Sequence, residues 1–184
     1  MAAAQQVAGR GAEVKFVQAD ANYPDQARRA GEEATDHLGG IDVLVNSTAG
    51  SFKPELFPDI PLESIPDIIT QQLMAPLLMS GVALPQMRAQ KGGLIINIAS
   101  DAAKIATPGE SVIGAVMAAI VMFSRTLAME AKRDGVRVNA LTPSLVEGTA
   151  TAERILAEGF SQRLFQKAAR LAPSESPDQR IWPR

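Results

Sequence analysis

Residues with chemistry to offer are few in this chain, and they collect where apolar runs end. Asp20 follows the run at 13–18, and Asn46-Ser47-Thr48-Ala49-Gly50 closes the run at 41–46. Ser100 follows the run at 94–99, and Thr142-Pro143-Ser144 follows the run at 136–141. Hydroxyls, amides and one carboxylate placed this way suit hydrogen bonding to a polar ligand, and they suit ordinary turns equally well. Metal chemistry is poorly served. His37 is the one histidine, which excludes a multi-histidine centre, and the lack of cysteine excludes thiolate ligation and disulfides. The absence of cysteine also suits a reducing compartment. One tyrosine, Tyr23, and one tryptophan, Trp182, leave little for aromatic stacking.

The elements that must position these residues can be read from pattern. The four runs are apolar throughout rather than alternating, as expected of parallel strands covered on both faces. Helical segments lie between them. The segment 24–38 opens with Pro24 and stops before Gly39-Gly40; 64–90 contains Pro66, Pro76 and Pro85; 111–133 stops at Asp134-Gly135. Arg28, Arg29, Glu32, Glu33 and Asp36 read as a solvated face on the first of these. A fourth helix is expected at 150–171, and 173–184, rich in proline, serine and charge, as a loose tail after a domain at 1–172. Strand and helix in alternation predict βαβ units in a doubly wound parallel sheet, with a ligand crevice beyond the carboxyl ends of the strands.

Composition sets the outer bounds. The 184 residues, 46% hydrophobic and 21% charged, fit one ordinary globular domain. Eighteen basic against 20 acidic residues give a net charge of −2, which argues against nucleic acid as a partner. The uncharged stretch 111–124 is too short to cross a bilayer, and 68–87 is interrupted by glutamines and prolines. With no basic, apolar leader at the start, the expectation is a cytoplasmic protein with no membrane contact.

The motifs at the strand ends resemble those of the short-chain dehydrogenase/reductase family, the NAD(P)-dependent Rossmann oxidoreductases. Ile41-Asp42-Val43-Leu44-Val45-Asn46-Ser47-Thr48-Ala49-Gly50 is similar to the family's D-x-L-V-N-N-A-G, with one extra residue. Gly93-Leu94-Ile95-Ile96-Asn97-Ile98-Ala99-Ser100 resembles the strand that delivers the catalytic serine, and Gly135-Val136-Arg137-Val138-Asn139-Ala140-Leu141-Thr142-Pro143 resembles G-I-R-V-N-x-x-x-P. Asp20 resembles the aspartate that holds the cofactor adenine. The resemblance implies an NAD or NADP cofactor near Asp20, Asn46, Ala49, Gly50, Pro143 and Ser144. It also implies a subunit interface through the helices at 64–90 and 111–133, with a second subunit of the same family, identical or different.

The same resemblance exposes departures. The family places a tyrosine 13 positions after the serine and a lysine 4 further on, and here those positions hold Ile113 and Met117. Neither side chain has a proton to transfer, and losing a positioned acid/base costs about 10² to 10⁴ in rate. Ser100 alone of the catalytic set is kept. Gln72 stands at the family's asparagine, and Ser144 replaces a glycine. Lys104 and Glu110, on the stretch after Ser100, are the remaining candidates for moving a proton. Gly9-Arg10-Gly11 precedes a strand instead of following one, so the phosphate-binding turn and the first two strands of the family lie outside this sequence. The retained helices should then all lie on one sheet face, with 13–18 either sliding beside 41–46 or leaving a gap that something else covers. The helix at 111–133 is apolar nearly all round, which predicts burial on every side. These features imply a non-catalytic family member that oligomerises with a competent dehydrogenase. The alternatives are an atypical NAD(P)-dependent enzyme whose cofactor-binding strands are missing from this sequence, and a product without function.

Overall fold

The structure is a computed structural model that describes residues 11, 13–146, 148–149 and 152–153. Helix α1 spans Pro24–Leu38, with proline at a first-turn position where its missing N–H orphans nothing. It ends at Gly39, whose left-handed φ of 75° lets its N–H bond Thr35 O. Strand β1, Val43–Asn46, follows at once. A connection with two single 3₁₀ turns leads to helix α2, Ile65–Ala89. Pro76 and Pro85 lie inside α2, and each removes one helical hydrogen bond without ending the helix. Strand β2 is Gly93–Ile98, helix α3 is Ser111–Ala131, and strand β3 is Val136–Leu141.

The three strands form one parallel sheet in the order β1-β2-β3. Val43 pairs with Leu94 and Leu94 with Arg137; Asn46 pairs with Asn97 and Asn97 with Ala140. This is the expected alternation of strand and helix in an incomplete doubly wound sheet. Helices α2 and α3 cover one face, where Ile95, Val136 and Val138 pack with Ala83, Met87, Leu127 and Ala131. Helix α1 packs on α2, so all three helices lie to the same side, as right-handed crossovers in one direction require. Among the described residues no element covers the other face. Val43, Val45 and Leu141 are each more than half exposed there, and Leu94, Ile96 and Ile98 are half-buried.

Two expectations are corrected. Residues 13–18 form no strand and pair with none of the described strands, with Phe16 58% exposed. Their fixed points are on α1, where Arg29 Nη2 donates to Gln18 O at 2.7 Å and Lys15 pairs with Glu33 at 3.5 Å. The segment therefore does not slide beside β1. Helix α3 is also not buried on every side. Val112, Val116, Met117, Ile120 and Leu127 face inward, while Ala115, Ala118, Ala119 and Met122 are exposed, because only one side meets the sheet and α2. The helix expected at 150–171, the tail 173–184 and Gly9-Arg10 lie outside the described residues.

Residues Leu62–Ala89 and Ser111–Asp134 are long and apolar enough to cross a membrane by length and composition. Both contain helices that pack against this sheet, and a sheet-covering helix needs the same composition.

Candidate functional site

The carboxyl ends of β2 and β3 lie side by side. Ala99 N donates to Leu141 O at 2.8 Å, and Asp101 N donates to Pro143 O at 3.0 Å, so Ser100 and the Thr142-Pro143-Ser144 turn are neighbours. Ser100 is half-buried and already engaged. Its Oγ donates to Asp101 Oδ1 at 3.1 Å and accepts from Ala102 N at 3.2 Å, which caps the 3₁₀ turn Asp101–Ala103. That turn packs on the start of α3, where a side chain at Gly114 would meet Ala102 O at 3.0 Å.

One face of α3 packs against Ala99 and Ala103, which flank the serine in the chain. Met117 is 6% exposed and forms an apolar cluster with Ala99, Val116 and Ile120, against which Ile113, Leu73 and Ala103 pack. A methionine thioether surrounded by aliphatic groups can neither donate a proton nor hold a charge, and Ile113 fills the space one turn before it. Lys104 is exposed. Glu110 occupies the N-cap position of α3, half-buried and without a side-chain capping bond; burial pushes its carboxyl above the ordinary range, the Asp101 charge adds to that, and Thr107 opposes it by hydrogen bonding.

Asn46 turns inward. It is 4% exposed, and its Nδ2 donates to Asn97 Oδ1 at 2.7 Å, Ser80 Oγ at 3.3 Å and Pro76 O at 3.5 Å. Asn97 Nδ2 donates to Ser124 Oγ at 2.8 Å, and Ser124 Oγ donates to Ile120 O at 2.8 Å. The result is a buried polar line from β1 through β2 to α3, with α2 joined at Ser80. Sequence reasoning missed Asn97, Ser80 and Ser124 as a group, although a polar residue inside each otherwise apolar segment was the available signal.

Gln72 is 6% exposed. It borders a recess of about 210 Å³ with Ser51, Lys53, Asp67 and Gln71, which Ser100 does not line. A side chain at Gly50 would meet Gln72 Nε2 at 2.8 Å. Ala49 and Ser144 are exposed and Pro143 is half-buried. Asp20 sits apart, at the start of α1: its Oδ1 accepts from Asn22 N at 3.0 Å, and its N–H donates to Gln26 Oε1 at 2.9 Å. His37, in the last turn of α1, has Nε2 buried without a partner among the described residues.

Dinucleotide binding requires a glycine-rich turn that leads from a strand into a helix N-terminus. Among the described residues no strand has one: β1 leads through Gly50 into a long connection, β2 into a 3₁₀ turn, and β3 into Thr142-Pro143. These residues therefore do not fit a whole NAD or NADP molecule.

The short chain dehydrogenase family model matches residues 1–159. The chain belongs to this family. A 3-oxoacyl-[acyl-carrier-protein] reductase from Synechocystis sp. is 32% identical over 157 residues, 85% of this chain and 63% of that protein. An uncharacterised oxidoreductase from Thermotoga maritima is 28% identical over 163 residues, 89% of this chain and 64% of that protein. The solved structure of NAD⁺-bound xylitol dehydrogenase superposes with a TM-score of 0.83 at 22% identity, over 94% of this chain and 70% of that one. This member of the short-chain dehydrogenase family thus has the family's Rossmann-like fold, and it spans less than two thirds of the length of both curated relatives.

Proposed function

We propose that the chain is a non-catalytic short-chain dehydrogenase that works in the cytoplasm as a subunit beside a competent enzyme of the same family. The observation that carries this reading is the apolar cluster at the two positions where the family keeps its tyrosine and lysine. Met117 is enclosed there, and Ser100 spends its hydroxyl on Asp101 and Ala102. Support for a partner comes from α3, which leaves Ala115, Ala118, Ala119 and Met122 in solvent beside α2. Small side chains let a second helix approach closely, and Met122, 58% exposed, offers an apolar anchor.

The test is titration of NADH and NADPH into the protein, read by cofactor fluorescence, with the Ile113→Tyr/Met117→Lys double variant alongside. Neither form is expected to bind cofactor saturably. The variant should also lose about 3–5 kcal/mol of stability, because it buries an unpaired ammonium among aliphatic groups. Stoichiometric binding by the parent chain would overturn the reading. It would favour the second one, an atypical NAD(P)-dependent enzyme acting on a hydroxyl or carbonyl substrate. What favours that second reading is the third of the relatives' length that this chain does not span.

A further inference from the structure

The chain has no cysteine, so its seven methionines carry all of its sulfur, and the reversible oxidation chemistry of sulfur can act only at thioethers. The fold treats those methionines unequally. Met87 and Met117 are buried in separate apolar clusters, and Met74 and Met79 are half-buried on α2. Met122 and Met129, both on α3, are 58% and 79% exposed. Met129 is the most exposed large apolar side chain among the described residues, which do not include Met1.

Spacing gives this exposure a use. Ala115, Ala118, Met122, Arg125 and Met129 follow one another in alternate steps of three and four, and every one of them is exposed. Such steps keep residues on one side of a helix, in the pattern by which one helix seats on another. Met122 and Met129 are the two large apolar groups on that seam, with Arg125 between them. A flexible thioether packs well against irregular apolar surface. The sulfoxide that oxidation leaves is polar and chiral. Its oxygen, buried at a contact without a donor, weakens that contact by about tenfold or more.

We propose that Met122 and Met129 are a modification site through which a peroxide controls docking of the exposed side of α3, an inference that rests on the subunit reading above. At each sulfur a lone pair attacks one peroxide oxygen, the O–O bond breaks and an S–O bond forms. The sulfur is oxidised by two electrons, and with hydrogen peroxide the other oxygen leaves as water. The site is open in the free chain and covered in the complex, so oxidation acts before assembly and keeps the chain unpaired. A methionine sulfoxide reductase, with a dithiol as electron donor, returns the thioether and releases the oxygen as water.

The test treats the isolated chain with hydrogen peroxide and maps sulfoxide at each methionine by peptide mass spectrometry. The chain is then mixed with the partner subunit separated from the complex of its own source, and reassociation is read by native mass spectrometry. Sulfoxide should form at Met122 and Met129 at least about tenfold faster than at the buried Met87 and Met117. Reassociation should fall by about tenfold or more, and methionine sulfoxide reductases acting on both epimers should restore it. A Met122→Leu/Met129→Leu variant, measured against its own untreated sample, should lose no reassociation on peroxide treatment. Equal oxidation at all four methionines, undiminished docking by the doubly oxidised chain, or a peroxide loss that persists in the leucine variant would each overturn this inference while leaving the subunit reading intact. Failure of the untreated chain to associate with any second subunit would overturn both.

Discussion

Glu110 and Asp101 share the short stretch between β2 and α3, and their proximity makes a pH signature. Burial and the neighbouring charge raise the Glu110 pKa, so on unfolding this carboxyl gives up its proton more readily. The unfolded state then binds fewer protons, and stability falls as pH rises from the unfolded carboxylate value of about 4 through the raised folded value. Glu110→Gln removes that penalty. Its melting temperature should exceed the parent's at pH 7, and the two should converge near pH 4. Asp134 works in the opposite sense, its carboxyl held low by Lys91 and Arg88, but both cations are exposed, so solvent screens the pairing. Asn97 is the other sensitive residue. Asn97→Ala removes its bonds to Asn46 and Ser124 and should cost about 3 kcal/mol in urea unfolding. The apolar character of positions 113 and 117 was legible in the sequence, where Ile113 and Met117 stand at fixed spacings from Ser100. The inward turn of Asn46 was not, since it depends on how closely α2 brings Pro76 and Ser80 to β1.

Among the elements, the three helices, β2 and β3 lie within a few residues of their sequence limits, because proline, glycine and apolar runs mark their ends unambiguously. Gly135 shows how strict one such mark is. It enters β3 at a φ of +74°, and a Cβ there would sit 2.4 Å from Lys91 O. Gly135→Ala should cost about 2–3 kcal/mol through strain and displacement of that turn, measurable as a lower thermal midpoint. Residues 13–18 carry a strand pattern and make no strand, since an apolar extended run becomes a strand only where a neighbour offers its edge. The exposed side of α3 was illegible for the same reason. An all-apolar helix indicates that burial is wanted, and only the assembled sheet shows which side goes without it.

At the scale of the whole molecule, the described residues form a three-stranded sheet covered on one face, with an apolar helix side in solvent, and the subunit role proposed above rests on these features. Native mass spectrometry of the complex from its own source tests this most directly. The account predicts a second, larger dehydrogenase-like chain in fixed ratio, no bound NAD(H) or NADP(H) on this one, and loss of that partner in the Met122→Lys variant. A homo-oligomer of this chain carrying one cofactor per subunit would contradict it.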